Sequence, residues 1–247
     1  ATKVPPIINP DWLATPYQSW QDKYPEQHIR DEVDKSLRDL NVDCLDLVQM
    51  HTWSRAWNRD PAPFEILRDC QKQGKLRAIG VSTPEIDQNA VVDLIRGGYV
   101  DSVQVIYNIL DQDAQAEIFP TALEHGVAII VRVAFDESSL TGKLTKETKF
   151  AEGDIRNSYF AGDRLPRTVD RVEKIRETIG DAEPNMATAA LKFALNPQAV
   201  STVIAGCRNA QQARMNCAVG EEPPISNELE DKLREHNWHR SFWPAGK

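Results

Sequence analysis

Short apolar segments rich in β-branched residues alternate along this chain with amphipathic segments of helical length, and this alternation constrains the fold most strongly. Near-continuous apolar runs are typical of strands that are covered on both faces. A strand, a helix and another strand in succession imply parallel pairing through right-handed crossovers. The predicted strands are Ala1–Val4, Cys44–Met50, Leu76–Val81, Ser102–Ile106, Val127–Val133 and Ser201–Ala205.

Helices are predicted between these strands from apolar stripes and from residues that end helices. Ile29, Val33 and Leu37 form one such stripe, and Gly74 follows another helical segment at a position where glycine is favoured. The predicted helices are Glu26–Leu40, Pro63–Gln73, Ile86–Arg96, Gln115–His125, Leu165–Ile179, Met186–Leu195, Ala210–Val219 and Asn227–His236.

Two architectures accommodate this repeat. A closed (β/α)8 TIM barrel has eight strands in about 250 residues, so the predicted strands would be its strands 3 to 8, and the first two units would be missing. An open doubly wound sheet needs no missing part, but it should contain a glycine-rich GxGxxG turn, which this sequence lacks. We therefore favour an incomplete barrel in which residues 1–247 form a single domain.

The composition argues against several classes of protein. The net charge is -8, from 29 basic and 37 acidic residues, which argues against a general nucleic-acid surface. No apolar run approaches the ~20 residues of a membrane span, and the first ten residues do not resemble a signal peptide. The four cysteines form no CxxC pair and have no histidine at ligand spacing. We interpret them as reduced thiols in a cytoplasmic protein without a metal site.

Polar residues stand where predicted strands end, which is where a parallel barrel carries its active site. Lys3 lies near the end of the first predicted strand and His51 directly follows the second. His51 also ends the first of five segments that together resemble, in the correct order, the aldo-keto reductase family. The segments are Ser36–His51, Gly74–Thr83, Val103–Asn108, Leu140–Lys143 and Ala205–Asn216, and Gly153–Phe160 resembles a bacterial branch of the family.

The resemblance implies a (β/α)8 barrel that binds NADP(H) and transfers a hydride between the nicotinamide and a carbonyl carbon of a small-molecule substrate. The family uses an aspartate, a tyrosine, a lysine and a histidine. The match assigns the lysine to Lys3 and the histidine to His51. The aspartate and the tyrosine belong to the first two barrel units, so we expect the general acid to be a tyrosine outside this chain.

The resemblance also implies residues that contact the nicotinamide. Ser82, Thr83 and Gln104 correspond to positions that hold its carboxamide, although Thr83 stands where the family usually has asparagine. Arg132 stands where most relatives have an aromatic residue. A guanidinium can stack on a ring or pair with a phosphate, so we predict a cofactor or substrate contact. A buried salt bridge between Arg132 and an acidic neighbour is the alternative.

A second group of residues is predicted to bind the phosphate of the adenosine. The segment from Gly206 opens a helix, and a helix N-terminus favours anions. Arg208 adds a guanidinium suited to a 2′-phosphate, which favours NADP over NAD. Gln212 and Asn216 follow one and two turns later on the same face.

Two loop regions have more than one interpretation. Phe135–Lys143 resembles the loop that closes over the pyrophosphate, but Ser138 replaces the usual glycine and adopts left-handed angles less readily. Four tryptophans follow the first two predicted strands, and they either line a substrate pocket or pack long loops; they are Trp12, Trp20, Trp53 and Trp57.

These observations leave two hypotheses about function. The favoured one is an NADP(H)-dependent carbonyl reductase. The alternative is a non-catalytic regulatory or scaffold protein that has kept the barrel and the cofactor site. A strand-end aspartate and a nearby tyrosine upstream of Ala1 would favour the enzyme.

Overall fold

The computed structural model describes residues 1–7, 17–240 and 242 of the 247-residue chain. The strands in these ranges are β1 (Thr2–Val4), β2 (Leu45–Met50), β3 (Leu76–Ser82), β4 (Ser102–Ile106), β5 (Ala128–Arg132) and β6 (Val200–Val203). The α-helices in the same ranges are α1 (Trp20–Lys23), α2 (Glu26–Leu40), α3 (Ala62–Lys72), α4 (Val92–Arg96), α5 (Ile118–His125), α6 (Arg156–Tyr159), α7 (Arg164–Ile179), α8 (Met186–Leu195), α9 (Ala210–Ala218) and α10 (Asn227–Arg234).

The six strands form one sheet in the order β1-β2-β3-β4-β5-β6. From β1 to β4 the pairing is parallel, and Lys3 lies opposite Gln49, which lies opposite Gly80. Gly80 in turn lies opposite Ser102 of β4. The predicted parallel pairing is therefore confirmed for these strands, and all six predicted strands are present with bounds that differ by at most two residues.

The chain divides into two compact units. Unit 1 comprises Ala1–Val105 and Ala114–Ile130, and unit 2 comprises Ile106–Asp113 and Val131–Pro244, apart from the residues outside the described ranges. That residues 1–247 form a single domain stays a prediction.

In unit 1, helix α2 covers strands β1 and β2 and also contacts α3. Its buried residues Ile29 and Val33 lie four positions apart and hence on one face of the helix. Burying a side chain of this size stabilises the fold by about 1.5–3 kcal/mol. The helix ends at Asn41, whose φ of 52° is the left-handed conformation of a common C-cap.

In unit 2, the core is built around helices α7, α8 and α10. Tyr107 stacks on Phe193 of α8 with the ring centroids 5.4 Å apart. On the same helix, Lys192 bonds Glu183 at 2.8 Å and Glu222 at 3.0 Å. This arrangement fixes α8 to the segments on either side of it in the sequence.

Several helices differ from the prediction. The predicted helix Ile86–Arg96 is a 3-10 turn at Gln88–Val91 followed by the short helix α4, and adjacent β-branched valines at the junction disfavour a longer helix. The predicted helix Gln115–His125 begins only at Ile118. Helices α1 and α6 were not predicted, because four residues are too few to show an apolar stripe.

Two features of the composition have structural counterparts. The four cysteines are free thiols; Cys70 is buried, Cys44 is half-buried, and Cys207 and Cys217 are exposed. Across residues 1–7, 17–240 and 242, no helix combines the length and the apolar character that crossing a bilayer requires. A location in the cytoplasm stays a prediction.

Asp111 of unit 2 is a half-buried carboxylate in the turn that follows β4. Its backbone N–H donates to the side-chain oxygen of Asn108 at 3.0 Å. Its Oδ1 atom is buried and accepts no hydrogen bond from the described residues. The pKa of Asp111 is raised to about 6, mainly by burial and also by the charges of Asp113 and Asp136, while Arg240 opposes the shift. The folded protein therefore binds a proton at this side chain more tightly than the unfolded chain does.

We predict that Asp111 makes the stability of the fold depend on pH. Its pKa is higher in the folded state than its ordinary 3.8, so its contribution is complete below pH 4 and is lost as the pH rises through 6. Asp111→Asn should therefore raise the free energy of unfolding at pH 7 by about 1–3 kcal/mol and flatten its pH dependence. Urea unfolding from pH 4 to 8 measures this, with exposed Asp231→Asn as the control. An equal pH slope in wild type and Asp111→Asn would contradict it.

Candidate functional site

Lys3 and His51 lie at the carboxyl ends of neighbouring strands. Lys3 of β1 is opposite Gln49 of β2, and His51 follows β2 two positions later. The backbone N–H of His51 donates to the carbonyl oxygen of Val4 at 3.0 Å, which continues the ladder past the end of β2. Since side chains alternate along a strand, Gln49 and His51 extend from the same face. The topology thus brings the predicted lysine and histidine to one edge of the sheet.

A buried hydrogen-bonded chain of polar side chains links three strands of unit 1. The ammonium group of Lys3 donates to Oε1 of Gln104 at 2.5 Å, and Nε2 of Gln104 donates to Oε1 of Gln49 at 3.4 Å. Gln49 and Gln104 are 2% and 4% exposed. Gln104 was predicted as a cofactor contact, and the structure shows that its carbonyl oxygen also fixes Lys3.

Gln49 was not predicted as a site residue. Its Nε2 atom is buried and donates no hydrogen bond within the part of the chain that the structure describes. A buried donor without an acceptor is costly, and such groups often face a ligand. The sequence held a signal for it, because Gln49 interrupts an apolar strand two residues before His51.

Ser82 and Thr83 lie at the end of β3, beside Gln104. Ser82 is opposite Gln104 in the register, and the backbone N–H of Thr83 donates to the carbonyl oxygen of Gln104 at 2.8 Å. The hydroxyl of Thr83 donates to Oε1 of Gln88 at 3.0 Å. Because a hydroxyl has one proton, Thr83 can only accept a further hydrogen bond. An asparagine at this position could both donate and accept.

Arg132 ends strand β5 in unit 2 and is half-buried. Burial and the charge of Asp136 raise the pKa of Glu137, whereas Arg156 and Arg132 lower it. An acidic residue is therefore close enough to Arg132 to interact with it electrostatically, as the salt-bridge alternative requires. The contact between Arg132 and a cofactor or substrate stays a prediction.

The predicted phosphate-binding residues meet at the start of helix α9. The helix begins at Ala210, and Asn209 caps it by accepting from the N–H of Gln212 at 2.9 Å. The side chain of Gln212 accepts from the N–H of Arg208 at 2.7 Å, and Asn216 donates to the carbonyl oxygen of Gly206 at 3.3 Å. These bonds order the turn and leave the side chain of Arg208 exposed.

Charges near this turn come from the segment before α6. Hydrogen bonds from Arg156 hold the pKa of Asp154 at about 2, and the charge of Arg208 contributes. Arg156 pairs with Asp154 at 2.6 Å and stacks over Phe150 at 4.6 Å from the ring centroid. The Gly153–Phe160 motif therefore places an ion pair within electrostatic reach of Arg208.

The tryptophans of unit 1 pack against other aromatic side chains. Trp53 and Trp57 are 0% and 4% exposed, with ring centroids 5.2 Å apart. Trp53 also contacts Phe64, and Trp57 contacts Tyr24. Of the two interpretations, packing of the loops accounts for Trp53 and Trp57. Trp20 donates to Asp60 at 2.7 Å, and Trp12 lies outside the described residues.

Solved structures with the same fold include two bacterial proteins. Aldo-keto reductase AKR11C1 of Bacillus halodurans in its holo form superposes with a TM-score of 0.71 at 24% identity, covering 97% of this chain and 74% of that one. The glycerol dehydrogenase AKR11B4 of Gluconobacter oxydans superposes with a TM-score of 0.69 at 22% identity, covering 85% of this chain and 64% of that one. The fold and its strand-end residues thus define a parallel α/β barrel protein, and the predicted barrel is confirmed.

A family model confirms the resemblance to a known family. The Aldo/keto reductase family model matches residues 1–237, and the chain belongs to this family. NADH-specific methylglyoxal reductase of Escherichia coli is 24% identical over 208 residues, 81% of this chain and 61% of that protein. Aldo-keto reductase YhdN of Bacillus subtilis is 31% identical over 130 residues, which are 52% of this chain and 38% of that protein. The chain thus matches less than two thirds of the length of these relatives, and the absence of two barrel units stays a prediction.

We predict that the two buried glutamines contribute differently to stability. Gln104→Leu removes the acceptor that Gln104 offers to the ammonium group of Lys3 and should lower the free energy of unfolding by about 1–3 kcal/mol. Gln49→Leu loses only a long hydrogen bond and also removes a buried donor without an acceptor, so its effect should stay below about 1 kcal/mol. Urea unfolding of both variants measures the difference. Equal losses would show that the Lys3–Gln104 bond is not the stronger interaction.

Proposed function

We propose that this protein is a nicotinamide-dependent oxidoreductase that interconverts small carbonyl compounds and alcohols. The observation that carries this proposal is the chain of hydrogen bonds from Lys3 to the amides of Gln104 and Gln49, at the strand end that His51 follows. Membership of the aldo-keto reductase family supports it. The relatives include a methylglyoxal reductase and a D-threo-aldose 1-dehydrogenase, whose names denote a carbonyl and a sugar substrate.

The polar side chains of unit 1 suit a nicotinamide carboxamide, which both donates and accepts hydrogen bonds. Gln49 has a buried N–H donor without a described acceptor, and the hydroxyl of Thr83 can accept. Ser82 and Gln104 lie on the neighbouring strands β3 and β4. We propose that Ser82, Thr83 and Gln104 hold the carboxamide. When bound, the nicotinamide supplies or accepts the hydride.

Lys3 and His51 have complementary roles in the proposed reaction. A neutral imidazole at His51 donates a hydrogen bond to the substrate oxygen and orients the carbonyl. The ammonium group of Lys3 carries a positive charge that favours the ionised form of a neighbouring general acid, so that its pKa lies nearer the working pH. The family resemblance suggests a tyrosine as that acid.

Unit 2 supplies the proposed phosphate contacts. The N-terminus of α9 and the exposed guanidinium of Arg208 suit a 2′-phosphate. We propose that Gly206, Arg208, Gln212 and Asn216 bind the adenosine end of NADP(H), and that Arg132 contacts the cofactor or substrate. We also propose that the protein is located in the cytoplasm.

Cofactor preference tests the role of Arg208. Arg208→Ala should raise the Kd for NADPH at least about tenfold, because a charged hydrogen bond to the 2′-phosphate is lost. The Kd for NADH, which lacks this phosphate, should stay within about twofold. Fluorescence titration measures both, with Arg214→Ala, an exposed arginine on the same helix, as the matched control. Equal effects on NADPH and NADH would contradict NADP preference.

Turnover distinguishes an enzyme from a non-catalytic cofactor-binding protein. In this protein, Lys3→Met should lower kcat/KM at least about 100-fold for a small aldehyde such as methylglyoxal. The Kd for NADPH should change only about threefold, since Lys3 acts on the reacting groups. Initial rates of NADPH oxidation measure this. Tight NADPH binding by a wild type that turns over none of a panel of aldehydes, ketones and sugars would support the regulatory alternative.

A further inference from the structure

The loop after β5 has an unusual backbone conformation in unit 2. Asp136, Glu137 and Ser138 have φ angles of 45°, 52° and 81°, so three successive residues with side chains adopt left-handed conformations. Such conformations cost free energy for any residue other than glycine and persist only where the surroundings enforce them. The loop therefore needs partners that hold it.

The carboxylate of Asp136 supplies those partners. Asp136 is 1% exposed. Its Oδ1 atom accepts a hydrogen bond from the hydroxyl of Tyr159 at 2.8 Å and another from Nη2 of Arg240. Its Oδ2 atom accepts from the hydroxyl of Ser139 at 2.7 Å. Three donors on one carboxylate fix both its position and its orientation.

Arg240 reaches this carboxylate from the far end of the sequence, 104 residues away. Its guanidinium lies over Trp238 and Phe242, at 4.8 Å and 4.7 Å from the ring centroids. The backbone N–H of Trp238 donates to the carbonyl oxygen of Leu110 at 3.0 Å, which anchors the segment. The rings of Trp238 and Phe242 thus help to position the guanidinium of Arg240 that contacts Asp136.

The conformation leaves two adjacent donors of the loop available. No backbone carbonyl in the described ranges accepts from the N–H groups of Glu137 or Ser138, whereas the N–H groups of Asp136 and Ser139 both bond within the loop. Adjacent N–H groups in a turn form a concave anion site. Nη1 of Arg156 also lies 3.4 Å from the hydroxyl of Ser138, which places a cation beside them.

We propose that Arg240, Tyr159 and Ser139 are positioning residues that act through Asp136 to hold Asp136–Ser138 ready for the pyrophosphate of the dinucleotide. This inference rests on the proposed function, and it adds a requirement for the C-terminal segment. A buried ion pair adds little net stability compared with apolar residues of similar size. Removal of Arg240 alone would leave the buried carboxylate of Asp136 without its cation, so loss of the pair affects the stability of the fold as well as the conformation of the loop.

The test separates loop order from cofactor affinity. The variants are Arg240→Ala, Arg240→Lys and Tyr159→Phe; the control is Arg234→Ala, which removes a surface ion pair with Glu230. Hydrogen–deuterium exchange without cofactor follows the peptide that contains residues 133–142. Fluorescence titration gives the Kd for NADPH, and competition gives the Kd for adenosine 2′-phosphate, which lacks the pyrophosphate.

We expect Arg240→Ala to speed exchange in this peptide about tenfold and to raise the Kd for NADPH by a similar factor. The Kd for adenosine 2′-phosphate should not change, because it contacts α9 instead. Tyr159→Phe, which loses one donor and keeps its ring, should shift both measurements in the same direction by about threefold. Arg240→Lys keeps the positive charge but lacks the planar guanidinium. Its exchange rate and its Kd for NADPH should lie between those of Arg240→Ala and wild type. Arg234→Ala should match wild type.

Three results would overturn the inference. The first is unchanged exchange in all three variants. The second is faster exchange with an unchanged Kd for NADPH while Arg208→Ala still weakens NADPH binding, which leaves the proposed function intact. The third is a wild type that does not bind NADPH, which removes the proposed function as well. Tyr159→Phe keeps the test decisive if Arg240→Ala does not fold.

Discussion

The parallel register of strands β1 to β4 determines where the functional side chains of unit 1 lie. One level across the four strands contains Lys3, Gln49, Gly80 and Ser102. Gln104 lies two residues further along β4. A Cβ atom at Gly80 would lie 2.4 Å from the hydroxyl of Ser102 and 3.0 Å from Cγ of Gln49. A glycine is therefore required at this level, because the neighbouring polar side chains fill the space.

The same register explains why a half-buried lysine is accommodated at this site. A charged group inside a sheet is costly unless it is hydrogen-bonded. The side chain of Lys3 extends to the next level, where Gln104 offers a carbonyl oxygen, and Gln49 fixes the amide of Gln104 from the other side. Two neutral amides thus help to hold the ammonium group of Lys3 in place.

Local patterns predicted the elements of this fold because the cause of each element is local. The apolar runs predicted all six strands, and the stripe of Ile29 and Val33 predicted α2 with its observed bounds. Short helices were missed, since α1 is defined by a capping box between Ser19 and Asp22 and not by periodicity. Strand order also predicted that Lys3 and His51 would share an edge, because the carboxyl ends of parallel strands coincide.

Interactions between distant residues could not be predicted in this way. Gln49 interrupts an apolar run, but its contact with Gln104 of another strand cannot be read from that run. Asp136 and Arg240 lie in separate motifs, and neither motif contains information about the other. Sequence reasoning identified the cost of Ser138 in place of glycine, and the φ of 81° agrees with it. It could not identify the compensating contacts, because they come from residues 159 and 240.

A strained loop held by distant partners has a consequence for the chemistry of unit 2. Glycine at position 138 would adopt the left-handed conformation at lower cost, but it would also allow other conformations in the free protein. With serine, the backbone has fewer alternatives, and the hydrogen bonds to Asp136 select among them. The entropy lost on ordering such a loop is then lost during folding rather than on binding, and the proposed binding of an anion at Glu137 and Ser138 would carry a smaller entropic penalty.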